Sequence, residues 1–448
     1  VFIARKQACS GHNLIVWLGL LLLLQPLGAV AEMSLQGQRQ QLDLWFGLRT
    51  DDAERSLSRL TFTSDWDLLW NDSWQVDLGL RMELAGDDTG LGTTRSYATA
   101  SRPVIDNEKA RLEIDQASLT RRRGGQQLVI GKQVVAWGVL DGLRVTDRFA
   151  PVRLRDFVVT ETRPERLSRW GVRLRQRAGR GWFDVALALD PTVNQLPAAD
   201  AAFAPLAPRN RGGLPPDAEL PPLQIDSRND YIKDSTVGLR YGRRIGQLDM
   251  TALVLHGPET DPVFAAATVA LDSGENTAGI ELLYPNRTLL GTTLETAIGN
   301  MIWRAELAHV PDQPVNLRTE EGLRIASKPR TLAGIGMDWR GADGLFINAQ
   351  IGLDHQHHGS DTGVRPDNDW IGTLRLQQSM AQDTVSLRFE WLGSVNKGDG
   401  VLRPSVQWSM SDNLRISSGL DWFYGDNTEL FGQFKQQSRV WMRMKLAF

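Results

Sequence analysis

Between Ser438 and Phe448 the side chains change character at every step. Val440, Met442, Met444, Leu446 and Phe448 share one side, and Arg439, Trp441, Arg443, Lys445 and Ala447 share the other. This is the two-residue period of a strand with unlike faces. Such a strand needs an apolar phase on one side and a hydrated one on the other. A soluble sheet with one wet face meets that need, and so does a transmembrane barrel whose alternate residues meet lipid. The choice between them rests on whether the pattern recurs.

It recurs along the whole chain. Leu42, Leu44, Phe46 and Leu48 alternate with Asp43, Trp45, Gly47 and Arg49, and Trp74 to Leu84 alternates with Gln75, Asp77, Gly79, Arg81 and Glu83. Later runs such as Phe183-Val185-Leu187-Leu189 and Val385-Leu387-Phe389-Trp391 repeat it, separated by short polar turns such as Ala178-Gly179-Arg180-Gly181. Strands are expected near residues 40–49, 59–70, 73–85, 108–120, 126–136, 168–177, 182–190, 234–242, 247–256, 288–297, 300–309, 330–339, 344–353, 369–379, 384–392, 401–410, 413–423 and 438–448. That makes about 18 strands, with 16 as the alternative count; Thr277–Leu283 is either a further strand or part of an outer loop. Alternate connections are long, near 85–108, 138–167, 191–233 and 258–287. Short turns on one side and long loops on the other are a habit of membrane barrels.

Composition agrees with export. Arg5 and Lys6 precede the apolar run Leu14–Leu24, and Ala29-Val30-Ala31 offers a cleavage site, so residues 1–31 are expected to be a signal peptide and residues 32–448 the barrel. Cys9, the single cysteine, lies within the leader, which excludes a disulfide scaffold or thiolate metal site in the rest. Without Arg5 and Lys6 the formal net charge is −5, which argues against nucleic acid as a partner. A mean hydropathy of −0.28 does not oppose a barrel, because only every second residue of a strand meets lipid. Fifteen Trp against five Tyr suit an interfacial aromatic girdle. Backbone amides in hydrocarbon must all be paired, and with no apolar helices available a closed, all-β antiparallel transmembrane barrel satisfies them.

The inward face carries the functional candidates. Arg173, Arg175, Arg304, Glu306, Arg388, Glu390 and Arg443 are expected to point into a wet lumen, chiefly as ion pairs that brace the wall. The connection Trp137–Phe157 holds Arg144, Asp147, Arg148, Arg153, Arg155 and Asp156. It folds inward as a constriction or stays outside with its charges in water. Asp190–Tyr231, rich in Pro, Ala and Gly, is expected to be a surface loop over the mouth. His355, His357 and His358 are weak metal candidates, with an exposed polar cluster as the simpler reading. The sequence contains no nucleophile elbow, no His-Glu-x-x-His zinc motif and no cofactor motif, so an enzyme is not expected.

Gly131-Lys132-Gln133 with Trp137-Gly138, then Arg153-Leu154-Arg155-Asp156-Phe157, resembles an uncharacterised family of Gram-negative outer-membrane barrels. Tyr284-Pro285-Asn286, Gly291-Thr292, Thr296 and Arg304-Ala305-Glu306-Leu307-Ala308 add to the likeness, with Ala305 where the family's usual residue is Gly. The ending on Phe448 likewise resembles the signal by which outer-membrane barrels are targeted. The resemblance implies a porin-like or substrate-export barrel in the cell outer membrane, passing small, hydrophobic or lipid-like solutes. Its implied partners are outer-membrane lipids and lipopolysaccharide, the barrel-assembly machinery through Phe448, and an inner-membrane transporter of the resistance-nodulation-division type. A structural or adhesive barrel is the rival reading, and an outer-membrane hydrolase the more distant one.

Overall fold

The computed structural model of the protein describes residues 34–86, 96–154, 165–197, 201–219, 221–225, 230–270, 276–341 and 343–448. The leader expected over residues 1–31 lies outside them, as do Arg155 and Asp156.

An 18-strand antiparallel sheet closes on itself. Its strands are β1 (Ser34–Arg49), β2 (Arg55–Asn71), β3 (Trp74–Ala85), β4 (Ala110–Arg123), β5 (Gln126–Gln133), β6 (Arg169–Ala178), β7 (Gly181–Ala188), β8 (Thr236–Ile245) and β9 (Leu248–Pro258). They continue as β10 (Asn286–Ile298), β11 (Met301–Thr319), β12 (Gly322–Arg340), β13 (Leu345–Gln356), β14 (Asn368–Met380), β15 (Val385–Ser394), β16 (Asp399–Ser409), β17 (Leu414–Tyr424) and β18 (Arg439–Ala447). Each strand pairs with its successor, and β18 returns to β1, where Gln41 faces Ala447 and Arg49 faces Arg439. Closure leaves no unpaired edge, which is what a sheet in hydrocarbon requires.

The alternation read from the sequence sorts the two faces. On β3, Leu78, Leu80, Met82 and Leu84 are exposed while Glu83 between them is buried. On β18, Val440 and Met442 are exposed while Arg439 is buried. The apolar face therefore points outward to lipid and the charged one into the barrel. Trp70, Trp303 and Trp408 are exposed near the short-turn end, and Trp370 and Trp422 near the long-loop end, the two levels of an aromatic girdle. No described helix is long and apolar enough to cross a membrane; the strands do the crossing.

Connections at the periplasmic end are two to four residues long, whereas at the other end short ones, after β1, β11 and β15, stand among long ones such as those after β5, β7 and β9. One expectation changes and one open alternative is decided. The connection expected between residues 309 and 330 is a hairpin, because β11 and β12 run on past the Val310/Gln313 register shift to a turn at Thr319–Gly322. Pro311 falls at that irregularity, where a missing ladder hydrogen bond is tolerated. The segment at Thr277–Leu283 is a strand, Asn276–Leu283, but it belongs to a separate sheet with Val263–Ala270 and Leu223–Ile225. The barrel count stays even.

Most inward charges brace neighbouring strands. Arg173 forks onto Asp184 at 2.9 and 2.6 Å, and Arg304 bridges Glu295 at 2.8 Å and Asp338 at 2.6 Å. Asp421 receives Arg403 at 3.0 Å and Arg439 at 2.9 Å. At the seam, Arg443 Nε donates to Asp43 at 2.9 Å beneath the Trp45 ring. These pairs satisfy charges that would be costly alone.

Candidate functional site

The connection between β5 and β6 turns into the barrel. Val135, Trp137, Leu140, Leu143, Val145 and Phe149 join one core with Ala186 and Ala188 of β7, Leu253 and Leu255 of β9, Leu289 of β10, Ala308 and Val310 of β11 and Leu332 of β12. Of the two placements expected for Trp137–Phe157, the described part takes the inward one. The apolar spacing inside a stretch full of Arg and Asp is what permits this, since a loop left in water has no use for six large apolar side chains.

Two wall glycines make room. A Cβ at Gly238 would lie 2.4 Å from Trp137 Cζ3, and one at Gly334 would lie 2.6 Å from Leu140 Cδ1. Any larger residue at either place would collide with the loop.

Glu306 holds the loop from the wall. Its carboxylate accepts the amides of Val139, of Leu140 at 2.7 Å and of Thr146 at 2.8 Å, together with the Thr146 hydroxyl at 2.7 Å. A buried carboxylate with several N–H donors needs no countercharge. Within the loop, Asp147 accepts the Trp137 amide at 3.2 Å and pairs with Arg166 at 2.6 Å. Arg144 donates to the carbonyls of Asp147 at 2.8 Å and Ala150 at 2.7 Å, and burial pulls its pKa down to about 10. Arg148 donates to Arg144 O at 2.7 Å and lies 3.7 Å from Asp261. Arg240 covers the Trp137 ring at 5.4 Å.

Arg153 ties the far end of the loop to the opposite wall. It pairs with Glu113, lies 3.3 Å from Glu165 and donates to Gln195 at 2.9 Å. Arg81 meets Glu165 at 2.9 Å and Glu83 at 3.3 Å, while the Tyr97 hydroxyl donates to Glu113 at 2.9 Å. Val152 and Leu154 bond to Asn194 and Gln195, so the loop after β7 lies on top of the inward one. Phe203 of that upper loop packs with Phe423, Phe431 and Phe434; within Asp190–Tyr231, expected as a surface loop, Val193 and Asn194 are buried and Leu223–Ile225 is a strand.

Between these layers lies a cavity of about 440 Å³. Leu143, Val145, Leu196, Leu332, Ile371, Leu392 and Phe431 supply apolar lining, and Arg148, Arg209, Arg330, Arg365, Asp261, Asp354 and Asp369 supply charge. Its size suits a small organic solute.

The remaining candidates do not converge here. Arg173, Arg304 and Arg443 are the wall braces described above, Arg175 lies over the Trp182 ring at 4.1 Å, and Glu390 meets Arg375 at 3.7 Å. Arg388 lies on β15 opposite Gln377 and Ser405 and is not part of the cavity lining. The histidines divide: His355 Nε2 and His357 Nδ1 lie 3.1 Å apart on the exposed side, whereas His358 is buried against Gln356 and Asp367. Chain alternation at the end of β13 sends them to opposite faces, and among the described residues no group of three or more His, Cys, Asp or Glu could hold a metal ion. Sequence reading missed Arg209, Arg330, Arg365 and Asp261. Arg209, Asp261 and Arg365 sit on separate loops and Arg330 in the middle of β12, and no spacing links them.

No protein-family model matches the chain, and no curated protein matches it either. Similar solved structures are barrels. OccAB2 of Acinetobacter baumannii is 9% identical over 92% of this chain and 97% of its own, with a TM-score of 0.50. OccAB3 of the same organism is 8% identical over 92% and 98%, with a TM-score of 0.49. OmpT of Vibrio cholerae is 11% identical over 93% and 99%, with a TM-score of 0.41. At such identities the likeness concerns the fold: this chain has the closed antiparallel barrel of outer-membrane proteins.

Proposed function

We propose that this outer-membrane barrel is a channel narrowed by its inward loop, and that it passes small solutes with apolar bodies. The observation that carries the reading is the docking of Trp137–Val152 against the inner wall through Glu306 and the wall glycines, beneath a largely apolar cavity. A solute filtered this way meets shape and charge at one narrow level, and no covalent step is needed. The outer face contacts outer-membrane lipid. An inner-membrane transporter of the resistance-nodulation-division type is the partner we would seek on the periplasmic side, supported by the family resemblance.

Planar-bilayer conductance of the intact protein, compared with a variant in which Gly138–Ala150 is replaced by a short Gly-Ser link, tests the reading. Small, infrequent openings that become large in the variant are expected. If neither protein opens over a broad voltage range nor admits labelled solutes into liposomes, the channel reading fails and a structural or adhesive barrel takes its place.

A further inference from the structure

The cavity above the inward loop has an unbalanced wall. Six arginines line it (Arg144, Arg148, Arg209, Arg211, Arg330 and Arg365) against three aspartates, Asp261, Asp354 and Asp369. Each aspartate is engaged through at least one oxygen: Asp354 by Arg330 at 2.7 and 2.5 Å, Asp369 by Arg209 with its Oδ1 left without a partner, and Asp261 by Asn194 at 2.7 Å and Arg148 at 3.7 Å. Arg144 and Arg211 are spent on backbone carbonyls. Arg365 stands apart. Among the described residues no hydrogen bond or ion pair reaches it, yet it lines the cavity. Burial pushes its pKa down; Asp261 opposes this while Arg330 and Arg209 add repulsion. Arg148 and Arg209 each keep a buried guanidinium N–H without a partner, on Nε in both and also on the Nη1 of Arg209. Arg365 is half-buried and its guanidinium faces the cavity without a hydrogen-bond partner among the described residues, and an anion presenting two oxygens would engage it through paired, charge-assisted hydrogen bonds.

The rest of the lining asks for something else. Leu143, Val145, Leu196, Leu332, Ile371 and Phe431 offer an apolar surface, which favours a hydrocarbon body over a sugar or an inorganic ion.

We propose that this cavity binds an amphipathic anion, with a carboxylate or phosphate-monoester head on Arg365, flanked by Arg148 and Arg209, and an apolar body against the leucine and phenylalanine lining. As a statement about the solute that is carried, this rests on the channel reading; as a statement about binding, it does not.

Equilibrium dialysis of the full-length protein in amphipol, with octanoate, octyl phosphate and octanol as probes, tests it. Saturable binding of octanoate or octyl phosphate is expected, tighter than octanol by about tenfold or more. The preferred anion identifies the head group. Arg365→Met should remove that preference and leave octanol binding unchanged, while Arg365→Lys should restore part of it. Equal binding of octanoate and octanol to the unaltered protein overturns the proposal, a comparison that holds even if Arg365→Met fails to fold. Conductance measured on the same preparation separates the two claims. Openings without anion preference remove the site and leave the channel; anion preference without openings removes the channel and leaves the site.

Discussion

Glu306 and Thr146 are joined twice across the lumen: one carboxylate oxygen of Glu306 accepts both the Thr146 amide, at 2.8 Å, and the Thr146 hydroxyl, at 2.7 Å. The other oxygen takes the amides of Val139 and Leu140. One side chain of β11 therefore holds both arms of the inward loop.

Replacing Glu306 with Ala should undock the loop. It leaves three amides and a hydroxyl without their acceptor, at about 1–3 kcal/mol for each that stays buried. Even a total of about 3 kcal/mol would shift the docked population more than a hundredfold. Larger single-channel openings and new protease cleavage within Gly138–Ala150, with heat-modifiable gel migration retained, are the expected outcome. Unchanged openings and an uncut loop would show that Glu306 does not anchor it.

At Gly238 the expected effect comes from crowding. Gly238→Val places atoms where the Trp137 ring lies, at a cost of about 1–3 kcal/mol. We expect openings that resemble those of the Glu306 variant, and their reversal when Trp137→Ala is added to relieve the clash. Failure of the second substitution to restore the narrow state would separate Gly238 from the loop.

The barrel seam offers a test of assembly. Arg443 and Asp43 are the bidentate pair between the last and first strands, neither fully exposed. Asp43→Asn keeps the shape and removes the charge. Because both groups keep some contact with water, the loss should fall toward the lower end of the roughly 3–5 kcal/mol seen when one partner of a buried pair is removed. Urea unfolding in lipid vesicles should show a lower midpoint, with Arg443→Met losing a similar amount and the double variant losing less than the sum.

Acid tolerance follows from Glu259, in the loop after β9. Burial would raise its pKa, but Arg287, Arg148 and Arg330 together hold it well below the ordinary carboxylate range. A lowered folded pKa contributes stability that is complete above the unfolded value, about 4.3, and is lost only as pH falls toward the folded one. Thermal unfolding of the protein and of Glu259→Gln should therefore differ by a constant amount from pH 7 to about pH 5 and converge only under strong acid. Convergence between pH 7 and pH 5 would contradict this.

Much of the fold was legible because lipid imposes a rule on each strand separately. Val440 to Phe448 had to alternate with Arg439 to Ala447 wherever the strand lay in the barrel, and the same local rule, repeated, yielded the eighteen strands and their two faces. Where the rule stopped, reading became less sure. The hairpin beyond residue 309 carries Pro311, Pro314 and Pro329 and a register shift after Val310, so its period no longer reported a face.

The lumen followed no such rule. That Arg304, Glu306 and Arg443 point inward was set by alternation alone, but only tertiary structure made Glu306 an anchor and the other two braces. Arg148, Arg209 and Arg365 come from three separate loops and Arg330 from the middle of β12, and they meet only because closure of the sheet brings those loops over one opening. The physical reason is range: contact with lipid is decided by each residue and its immediate neighbours, whereas a cavity is decided by where distant loops come to rest.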